Sequence, residues 1–333
     1  MEQLESRKKD HIDLALKSQT GRPDRDFRFR YEPMLTAHPA GGLQPFTFLG
    51  KEHKVPMWVS SMTGGTKMAG TINRNLARAC NEFGMGMGLG SCRIIMEDNT
   101  FFEDFNMRPI IGPDLPLWAN LGIAQIEELL VENSVGKATK LVEKLEADGL
   151  IIHVNPMQEW FQPEGDILKI SPFEAITRFM EKFPYPVIVK EVGQGIGPES
   201  LRKLLQLPLQ AIEFAAFGGT NFARVELLRD ENAEKALFEP LSFIGEDAYS
   251  MLDEINRITA QEKPACRELI ISGGIKNFLD GYYLVRKSSM PAVYGMASTF
   301  LNYAQEDYEQ LQAFVESQVK GLEMAYSYLT INE

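Results

Sequence analysis

Cysteine and positive charge are both scarce in this sequence, and each shortage excludes a class of protein. The three cysteines, Cys80, Cys92 and Cys266, are odd in number and widely spaced, so we expect free thiols rather than a disulfide framework or a metal-ligand cluster. The net charge of -12 argues against a nucleic-acid partner, because a phosphate polymer attracts a basic surface. A small anionic ligand is not excluded, since a metal ion, a few basic side chains or backbone N–H groups can hold one.

Long hydrophobic runs are absent as well. No apolar run approaches the roughly twenty residues of a membrane span, and the segment from Met1 to Lys9 lacks the apolar core of a signal peptide. We therefore expect a cytoplasmic protein with no membrane partner. The hydrophobic content of 44% and charged content of 24% are typical of a soluble globular protein.

What the sequence does contain is a regular alternation of short apolar runs with helical stretches, at a period of roughly thirty residues. Eight such runs are each followed by a polar or glycine-rich cluster. This pattern predicts an α/β fold, a (β/α)₈ TIM barrel formed as one domain by residues 1–333. The predicted strands are Val55–Met62, Met85–Leu89, Leu115–Leu121, Leu150–Val154, Val187–Val192, Ala211–Phe217, Leu269–Ser272 and Ala292–Tyr294.

Two segments lie outside this alternation. Residues 1–54 predict an N-terminal extension with a helix over 5–18 and a hairpin over 46–53. Residues 222–264 are too long for one connection after strand six, so we expect an insertion with a helix at Ala248–Thr259 and a mobile loop around Phe238–Glu246.

Glycine loops follow strands seven and eight. Ser272-Gly273-Gly274-Ile275 and Tyr294-Gly295-Met296-Ala297 place residues without a Cβ where backbone N–H groups approach a phosphate. Ordinary strand-to-helix turns are the alternative, but barrel enzymes commonly bind phosphate after these two strands. The pair therefore favours a phosphate site.

Other strand ends add polar groups. Gly218-Gly219-Thr220 follows strand six, while Thr63 and Asn120 follow strands one and three. Lys190 ends strand five among apolar neighbours and needs an anionic partner, because an unpaired buried charge is costly. The partner is either the N1/O2 edge of a reduced flavin or the carboxylate of Glu191 or Glu213.

Two glycine-rich stretches resemble dinucleotide loops without their spacing. Residues 84–90 alternate glycine with period two, which predicts a strand with one small face. Residues 193–197 do not form a strand-to-helix G-x-G-x-x-G motif either.

The most distinctive polar run is His153-Val154-Asn155-Pro156-Met157-Gln158-Glu159. Glu159 has the chemistry of a Mg²⁺ ligand, since Mg²⁺ takes one or two carboxylates together with ligand phosphates. His153 has the chemistry of a phosphate contact or of an acid or base. Taken singly, each is more often a structural histidine or a solvated glutamate. The basic run Arg7-Lys8-Lys9, with His11, is either a solvated charge run or a group that reaches an oxyanion over the barrel mouth.

In this order along nearly the whole chain, these residues resemble the type 2 isopentenyl diphosphate isomerases, FMN-dependent barrel enzymes of isoprenoid synthesis. The run from His153 to Glu159 is the specific part, because other FMN barrels share the glycine loops. The resemblance implies that Met62, Thr63, Gly64, Ser91, Asn120, Lys190 and Thr220 contact FMN, and that Gly273, Gly274, Ile275, Gly295, Met296 and Ala297 hold its phosphate. It implies that Arg7, Lys8, His11, Arg93, His153, Asn155 and Gln158 line the diphosphate substrate and that Glu159 binds Mg²⁺.

The implied reaction converts isopentenyl diphosphate to dimethylallyl diphosphate with no net redox change. One proton is delivered to a carbon and another is removed two carbons away. Gln158 does not titrate usefully, so it orients the alkene, and the acid/base role falls to N5 and N1 of the reduced flavin, with Lys190 holding the anionic form. NADPH is the expected reductant of the flavin, and the resemblance implies a homo-oligomer, a tetramer or an octamer.

Two other functions compete with this one. An FMN oxidoreductase such as a 2-hydroxy acid oxidase uses a histidine base late in the chain, whereas no histidine follows His153 here. A non-catalytic flavin- or phosphate-binding protein is disfavoured by polar residues at the ends of at least six predicted strands.

Overall fold

Eight parallel strands form a closed barrel in the computed structural model, which describes residues 2–61, 67–229 and 235–332. We number these barrel strands β1–β8 in chain order. Each pairs with the next, and β8 pairs with β1. The strands are β1 Met57–Val59, β2 Gly86–Gly88, β3 Leu117–Gly122, β4 Gly149–His153, β5 Val187–Lys190, β6 Ala211–Glu213, β7 Glu268–Ser272 and β8 Ala292–Met296. The predicted fold class is confirmed, and every strand lies within or across a predicted run.

Helices surround the barrel. The α-helices are Glu2–Ala15, Lys67–Phe83, Phe102–Phe105, Arg108–Ile111, Ile123–Val131, Gly136–Lys144, Pro156–Phe161, Pro172–Met180, Pro198–Leu205, Phe222–Arg229, Ala248–Thr259, Phe278–Lys287, Ser298–Ala304 and Tyr308–Tyr328. Short 3₁₀ helices lie at Arg22–Asp24, Arg93–Ile95 and Lys235–Phe243. Side chains of Ser171, Asp247 and Asn277 cap three of the α-helices by accepting hydrogen bonds from backbone N–H groups.

The insertion after β6 contains more helical structure than its sequence predicts. Helix Phe222–Arg229 precedes the expected helix Ala248–Thr259, and part of the expected mobile loop is the 3₁₀ helix ending at Phe243. Gln194 holds the segment in place, because its Nε2 donates to the carbonyls of Leu241 and Ile244, at 3.1 and 2.7 Å. These contacts join segments distant in sequence, and the mobility of the loop around Phe238–Glu246 stays a prediction.

The amino-terminal end of the barrel is closed by the predicted hairpin. Its strands Phe46–Phe48 and Lys51–His53 pair antiparallel, and Phe48 packs in one apolar cluster with Trp58 and Trp118 inside the barrel. The small face of β2 makes room for these rings, because a Cβ on Gly86 would lie 2.5 Å from Trp58. Since this end is filled, a ligand site lies at the opposite end, where the strands finish.

Two segments from opposite ends of the sequence pair beside helix Phe278–Lys287. Phe29–Tyr31 runs antiparallel to Leu329–Ile331. The three cysteines are buried free thiols, as predicted. Within the described ranges, no helix combines the length and apolar character needed to cross a membrane.

Candidate active site

A cavity of about 330 Å³ lies at the carboxyl ends of β1 and β5–β8. It brings together eight of the predicted cofactor residues: Lys190, Thr220, Gly273, Gly274, Ile275, Gly295, Met296 and Ala297. Ser60, Glu213, Ser272 and Lys276 also line it. A larger crevice of about 590 Å³ lies between the loops after β4 and β5, but its walls are mainly apolar and hold none of the predicted site residues.

The glycine loops after β6, β7 and β8 pack against one another too closely for side chains. Gly273 and Gly274 have φ of +92° and +73°, and a Cβ on Gly273 would lie 2.2 Å from the backbone of Ala216. Among described residues, nothing accepts a hydrogen bond from the backbone N–H groups of Gly218, Gly219, Gly274 or Ile275. Unpaired N–H groups converging on one small volume form a cradle that fits an anion.

Lys190 and Glu213 form the floor of the cavity beside that cradle. Both are buried. Lys190 Nζ donates to the Glu191 carbonyl at 2.8 Å, and no ion pair joins it to Glu191 or Glu213 within the described residues. Glu213 Oε1 accepts from Ser272 Oγ at 3.3 Å, whereas its Oε2 lacks a partner in the described structure. Burial raises the pKa of Glu213, and the charge of Lys190 opposes that rise.

Glu191 explains the glycine-rich stretch at 193–197. Its Oε2 accepts hydrogen bonds from the backbone N–H groups of Gly193, Gln194 and Gly195, at 2.6, 2.6 and 2.9 Å. The glycines let the backbone wrap around this carboxylate. The stretch therefore binds the side chain of a neighbouring residue and is not a dinucleotide loop.

His153 ends β4 and pairs in register with Lys190 on β5. Asn120 Nδ2 donates to the Leu89 carbonyl at 3.0 Å, so its Oδ1 faces His153 Nδ1 at 2.8 Å and accepts that nitrogen's proton. Burial, with a contribution from the Lys190 charge, lowers the pKa of His153 to about 3. The imidazole is therefore neutral at pH 7, with Nε2 as its open acceptor. Both groups of the Asn120 amide are engaged in this arrangement, and Asn120 does not line the cavity.

The rest of the polar run forms one hydrogen-bonded network around helix Pro156–Phe161. Asn155 Nδ2 donates to Gln158 Oε1 at 3.1 Å and to Glu159 Oε1 at 2.9 Å. Gln158 Nε2 donates to Glu226 Oε1 at 3.1 Å. Glu159 Oε2 accepts from the backbone N–H of Asp166 at 2.9 Å. Asn155 Oδ1 is buried and has no partner in the described part of the chain.

Ion pairs border this network. Arg229 Nη1 lies 2.6 Å from Glu226 Oε2, and its Nη2 lies 3.2 Å from Glu164. Arg93 Nη1 lies 3.3 Å from Asp166 Oδ2, with both side chains about half exposed. Arg93 thus stands near the loop that Glu159 organises, with its charge already paired.

Several predicted residues lie apart from the cavity. Arg7, Lys8 and His11 are exposed on helix Glu2–Ala15, and no described hydrogen bond or ion pair joins them to the barrel. Ser91 lies with Arg93 outside the cavity. The predictions for Met62, Thr63 and Gly64 fall outside the described residues.

Sequence reasoning assigned no site role to Glu226, Ser60 or Ser272. Ser272 belongs to the glycine motif after β7, and Ser60 follows β1. The position of each serine at the end of a barrel strand indicates a site role. Glu226 carries no such signal, because its contact with Gln158 spans 68 residues.

Comparisons with known proteins identify relatives of this chain. No protein-family model matches it. Curated relatives described as isopentenyl-diphosphate delta-isomerase include one from Nostoc sp., 34% identical over 94% of this chain and 88% of its own length. Another, from Deinococcus radiodurans, is 35% identical over 84% of this chain and 78% of its own.

Solved structures share the fold at low identity. A flavocytochrome b2 variant with sulfite bound has a TM-score of 0.62 at 15% identity, covering 90% of this chain and 71% of its own. A mandelate oxidase variant with an FMN adduct has a TM-score of 0.57 at 13% identity, covering 92% and 88%.

By fold, the chain is a (β/α)₈ barrel of the kind found in those two proteins. The sequence identity to the curated relatives, which extends over most of the chain, defines the family more specifically than the shared fold does. The chain belongs to the isopentenyl-diphosphate delta-isomerase family, and its barrel is the fold expected of the type 2 branch.

Proposed function

We propose that this chain converts isopentenyl diphosphate to dimethylallyl diphosphate, using reduced FMN in the cavity and Mg²⁺ on the diphosphate. The observation that carries the proposal is the Asn155–Gln158–Glu226 network. It adjoins the cavity, because His153 at the start of the polar run pairs with Lys190 on the cavity floor. The curated relatives, named for this reaction, support the same substrate.

The cradle fits the phosphate of FMN. Gly218, Gly219, Gly274 and Ile275 offer unpaired N–H groups to its oxygens, which is how backbone donors hold an anion without basic side chains. Bound reduced flavin would supply, at N5 and N1, the groups that deliver and remove protons. Lys190 would stabilise negative charge on the reduced flavin, and Glu213 lines the same cavity.

Gln158 orients the hydrocarbon end of the substrate. Its amide is fixed at both ends, since Oε1 accepts from Asn155 and Nε2 donates to Glu226. A side chain held in this way presents one face to a ligand without reorganisation. Glu226, buried and paired with Arg229, anchors the amide.

Glu159 and Asn155 fit a magnesium site completed by the substrate. Each Glu159 oxygen accepts one hydrogen bond and keeps a free lone pair, and Asn155 Oδ1 is unpartnered among described residues. Within the described ranges no three His, Cys, Asp or Glu side chains converge as a metal cluster. The ion would therefore take most of its remaining ligands from diphosphate and water, as Mg²⁺ commonly does.

His153 contacts the diphosphate in this proposal. Its Nδ1 proton is committed to Asn120, so Nε2 is the ring nitrogen left for a ligand. A neighbouring phosphate favours protonation at Nε2, because opposite charge stabilises the charged imidazole. Substrate binding would then take up a proton at His153.

The other site residues and properties that the sequence predicts are part of the same proposal. Arg7, Lys8 and His11 would add positive charge once helix Glu2–Ala15 lies over the diphosphate, and Arg93 would exchange Asp166 for substrate. Met62, Thr63, Gly64, Ser91 and Asn120 remain proposed FMN neighbours. We further propose one domain over residues 1–333, a cytoplasmic homo-oligomer, and NADPH as the reductant of the flavin.

Turnover under reducing conditions tests the function. Anaerobic protein with Mg²⁺, isopentenyl diphosphate and catalytic dithionite should form many equivalents of dimethylallyl diphosphate per reductant, because isomerisation leaves substrate redox state unchanged. The same protein with its flavin kept oxidised should be inactive. A 2-hydroxy acid oxidase, suggested by the structural neighbours, would instead consume one electron acceptor per turnover. Product limited to one equivalent per reductant would overturn the isomerase proposal.

A further inference from the structure

A bridge of side chains connects the N-terminal extension to the loop after β7. Asp280, in the first turn of helix Phe278–Lys287, accepts from the backbone N–H of Lys276 through Oδ2 at 2.9 Å. Its Oδ1 accepts from Arg28 Nη1 at 2.7 Å. Lys276 directly follows the Gly273–Ile275 loop and lines the cavity with it. The Asp280 carboxylate therefore connects the loop that forms the cradle to Arg28, which lies 252 positions earlier in the sequence.

Arg28 is itself held on several sides. Its guanidinium forms a bidentate pair with Asp26, donates to Tyr249 Oη at 2.7 Å, and stacks over the Phe29 and Tyr283 rings. The Asp26 and Asp280 carboxylates raise its pKa. Such a planar fork, fixed by several acceptors, sets the direction of its partner more firmly than a flexible ammonium does.

The backbone around Arg28 is fixed by the other end of the sequence. Asn332 N donates to the Arg28 carbonyl at 2.8 Å, within the pairing of Phe29–Tyr31 with Leu329–Ile331. Tyr282, two residues beyond Asp280, donates to the Leu329 carbonyl at 2.6 Å. The bridge therefore rests on a two-stranded sheet and not on a free arm.

We propose that Arg28 and Asp280 are positioning residues for the phosphate-binding loop after β7. Asp280 fixes the position of Lys276, and through it the direction of the Gly274 and Ile275 N–H groups. Arg28 orients Asp280 and offsets its negative charge, which would otherwise oppose an anion in the cradle. The proposal rests on the FMN phosphate lying in that cradle.

The barrel contains a matched control at its other end. Asp148 Oδ2 accepts from Arg108 Nη2 at 2.9 Å and from the backbone N–H of Leu117 at 2.9 Å. As at Asp280, one carboxylate joins an arginine to a backbone N–H, although here Lys51 Nζ also lies 2.6 Å from Asp148 Oδ1. The arrangement is placed at the start of β3, away from the cradle. Asp148→Asn therefore reproduces the loss of one half-buried carboxylate without touching the phosphate loop.

The test compares FMN with riboflavin, which lacks the phosphate, by fluorescence titration of flavin-free protein. Wild type should bind FMN more tightly than riboflavin. Asp280→Asn and Arg28→Gln should each lower that preference about tenfold or more, a change of about 1.4 kcal/mol, while riboflavin affinity changes little. Asp148→Asn should leave the preference unchanged. Arg28→Lys, which keeps the charge and loses the fork, should fall between wild type and Arg28→Gln.

The results of these titrations distinguish a failure of the positioning role of Arg28 and Asp280 from a failure of the proposed FMN site. An unchanged FMN preference in Asp280→Asn and Arg28→Gln, with wild type preferring FMN, would overturn the positioning role alone. Wild-type protein that binds FMN no better than riboflavin would overturn the phosphate assignment and the inference with it. If Arg28→Gln does not fold, the Asp280→Asn and Arg28→Lys preferences decide the question.

Discussion

Single side chains in this site act through partners that lie far away in the sequence. Gln158 is oriented by Asn155, three residues before it, and by Glu226, 68 residues after it. Glu191, one residue from Lys190, accepts three backbone hydrogen bonds at Oε2 from the loop that follows it. The role of each of these side chains therefore follows from its hydrogen-bond partners and not from its residue type alone.

Glu159→Gln should weaken substrate binding and raise the Mg²⁺ concentration needed for half-maximal activity by about tenfold or more, about 1.4 kcal/mol. The amide keeps the size of the side chain and loses the charge that Mg²⁺ prefers. FMN affinity should be unchanged, since Glu159 does not line the cavity. Magnesium titrations of activity, with flavin binding measured in parallel, check this.

Glu164→Gln is the control for that change, because Glu164 is a nearby exposed carboxylate paired with Arg229. It should keep the wild-type magnesium dependence. Equal magnesium dependence in Glu159→Gln and wild type would remove Glu159 from the metal site.

Part of the site was predictable because strand ends converge in any closed barrel. Lys190, Thr220 and the loops after β7 and β8 line one cavity for that reason. Arg7, Lys8 and His11 are predicted to reach over the barrel mouth to the diphosphate, and this stays a prediction because nothing in a local sequence pattern positions an exposed helix on a distant rim. Glu226 was not predicted because side-chain pairing across elements depends on tertiary distances.

At the scale of elements, the barrel strands were predictable because each is an apolar run with a defined end. Helix Ala248–Thr259, which has a regular apolar period, matched its predicted limits. Helix Phe222–Arg229 was not predicted, since charged and apolar residues alternate in it without one clear face. Lys235–Phe243 contains Pro240 and looked like a loop, whereas it is a 3₁₀ helix.

The hairpin that closes the barrel should make stability depend on pH. His53 is buried between the rings of Phe46 and Phe48, and burial lowers its pKa from 6.5 to about 4. Below pH 6.5 the unfolded chain takes up a proton that the folded chain does not, so the free energy of unfolding should fall as pH drops from 6.5 to 4. At 1.36 kcal/mol per unit, the loss is about 3 kcal/mol.

Chemical unfolding at several pH values checks this expectation. His53→Leu should remove part of the decline, and His153, whose pKa is also lowered by burial, contributes to what remains. His38→Leu, at an exposed histidine, should leave the slope as in wild type. A His53→Leu protein with the full wild-type slope would contradict the buried neutral state of this imidazole.

For the whole molecule, an anion site in a chain of net charge -12 requires local compensation. Backbone N–H groups of the cradle, together with Lys190, provide it without making the surface basic. The general negative field disfavours polyanions, while one small phosphorylated cofactor is still held at short range.

The protein should therefore copurify with FMN or take it up from solution, and should not carry FAD. One phosphate cradle is present in the cavity, and no adenine-nucleotide loop is recognisable in the sequence. Mass analysis of the flavin released by denaturation gives the answer directly. FAD in that fraction, or no uptake of FMN in a titration, would contradict the cofactor assignment.

The pairing of Phe29–Tyr31 with Leu329–Ile331 also has a consequence for biosynthesis. Arg30 Nε donates to Asn332 Oδ1 across 302 residues of sequence, so this sheet forms only after residue 332 has left the ribosome. Until then Arg28 lacks the backbone partner that fixes it. The barrel strands can collapse earlier because each contacts its neighbour in sequence, but the phosphate loop reaches its final form last. A nascent chain halted before residue 329 should therefore be folded in its core and unable to retain its cofactor.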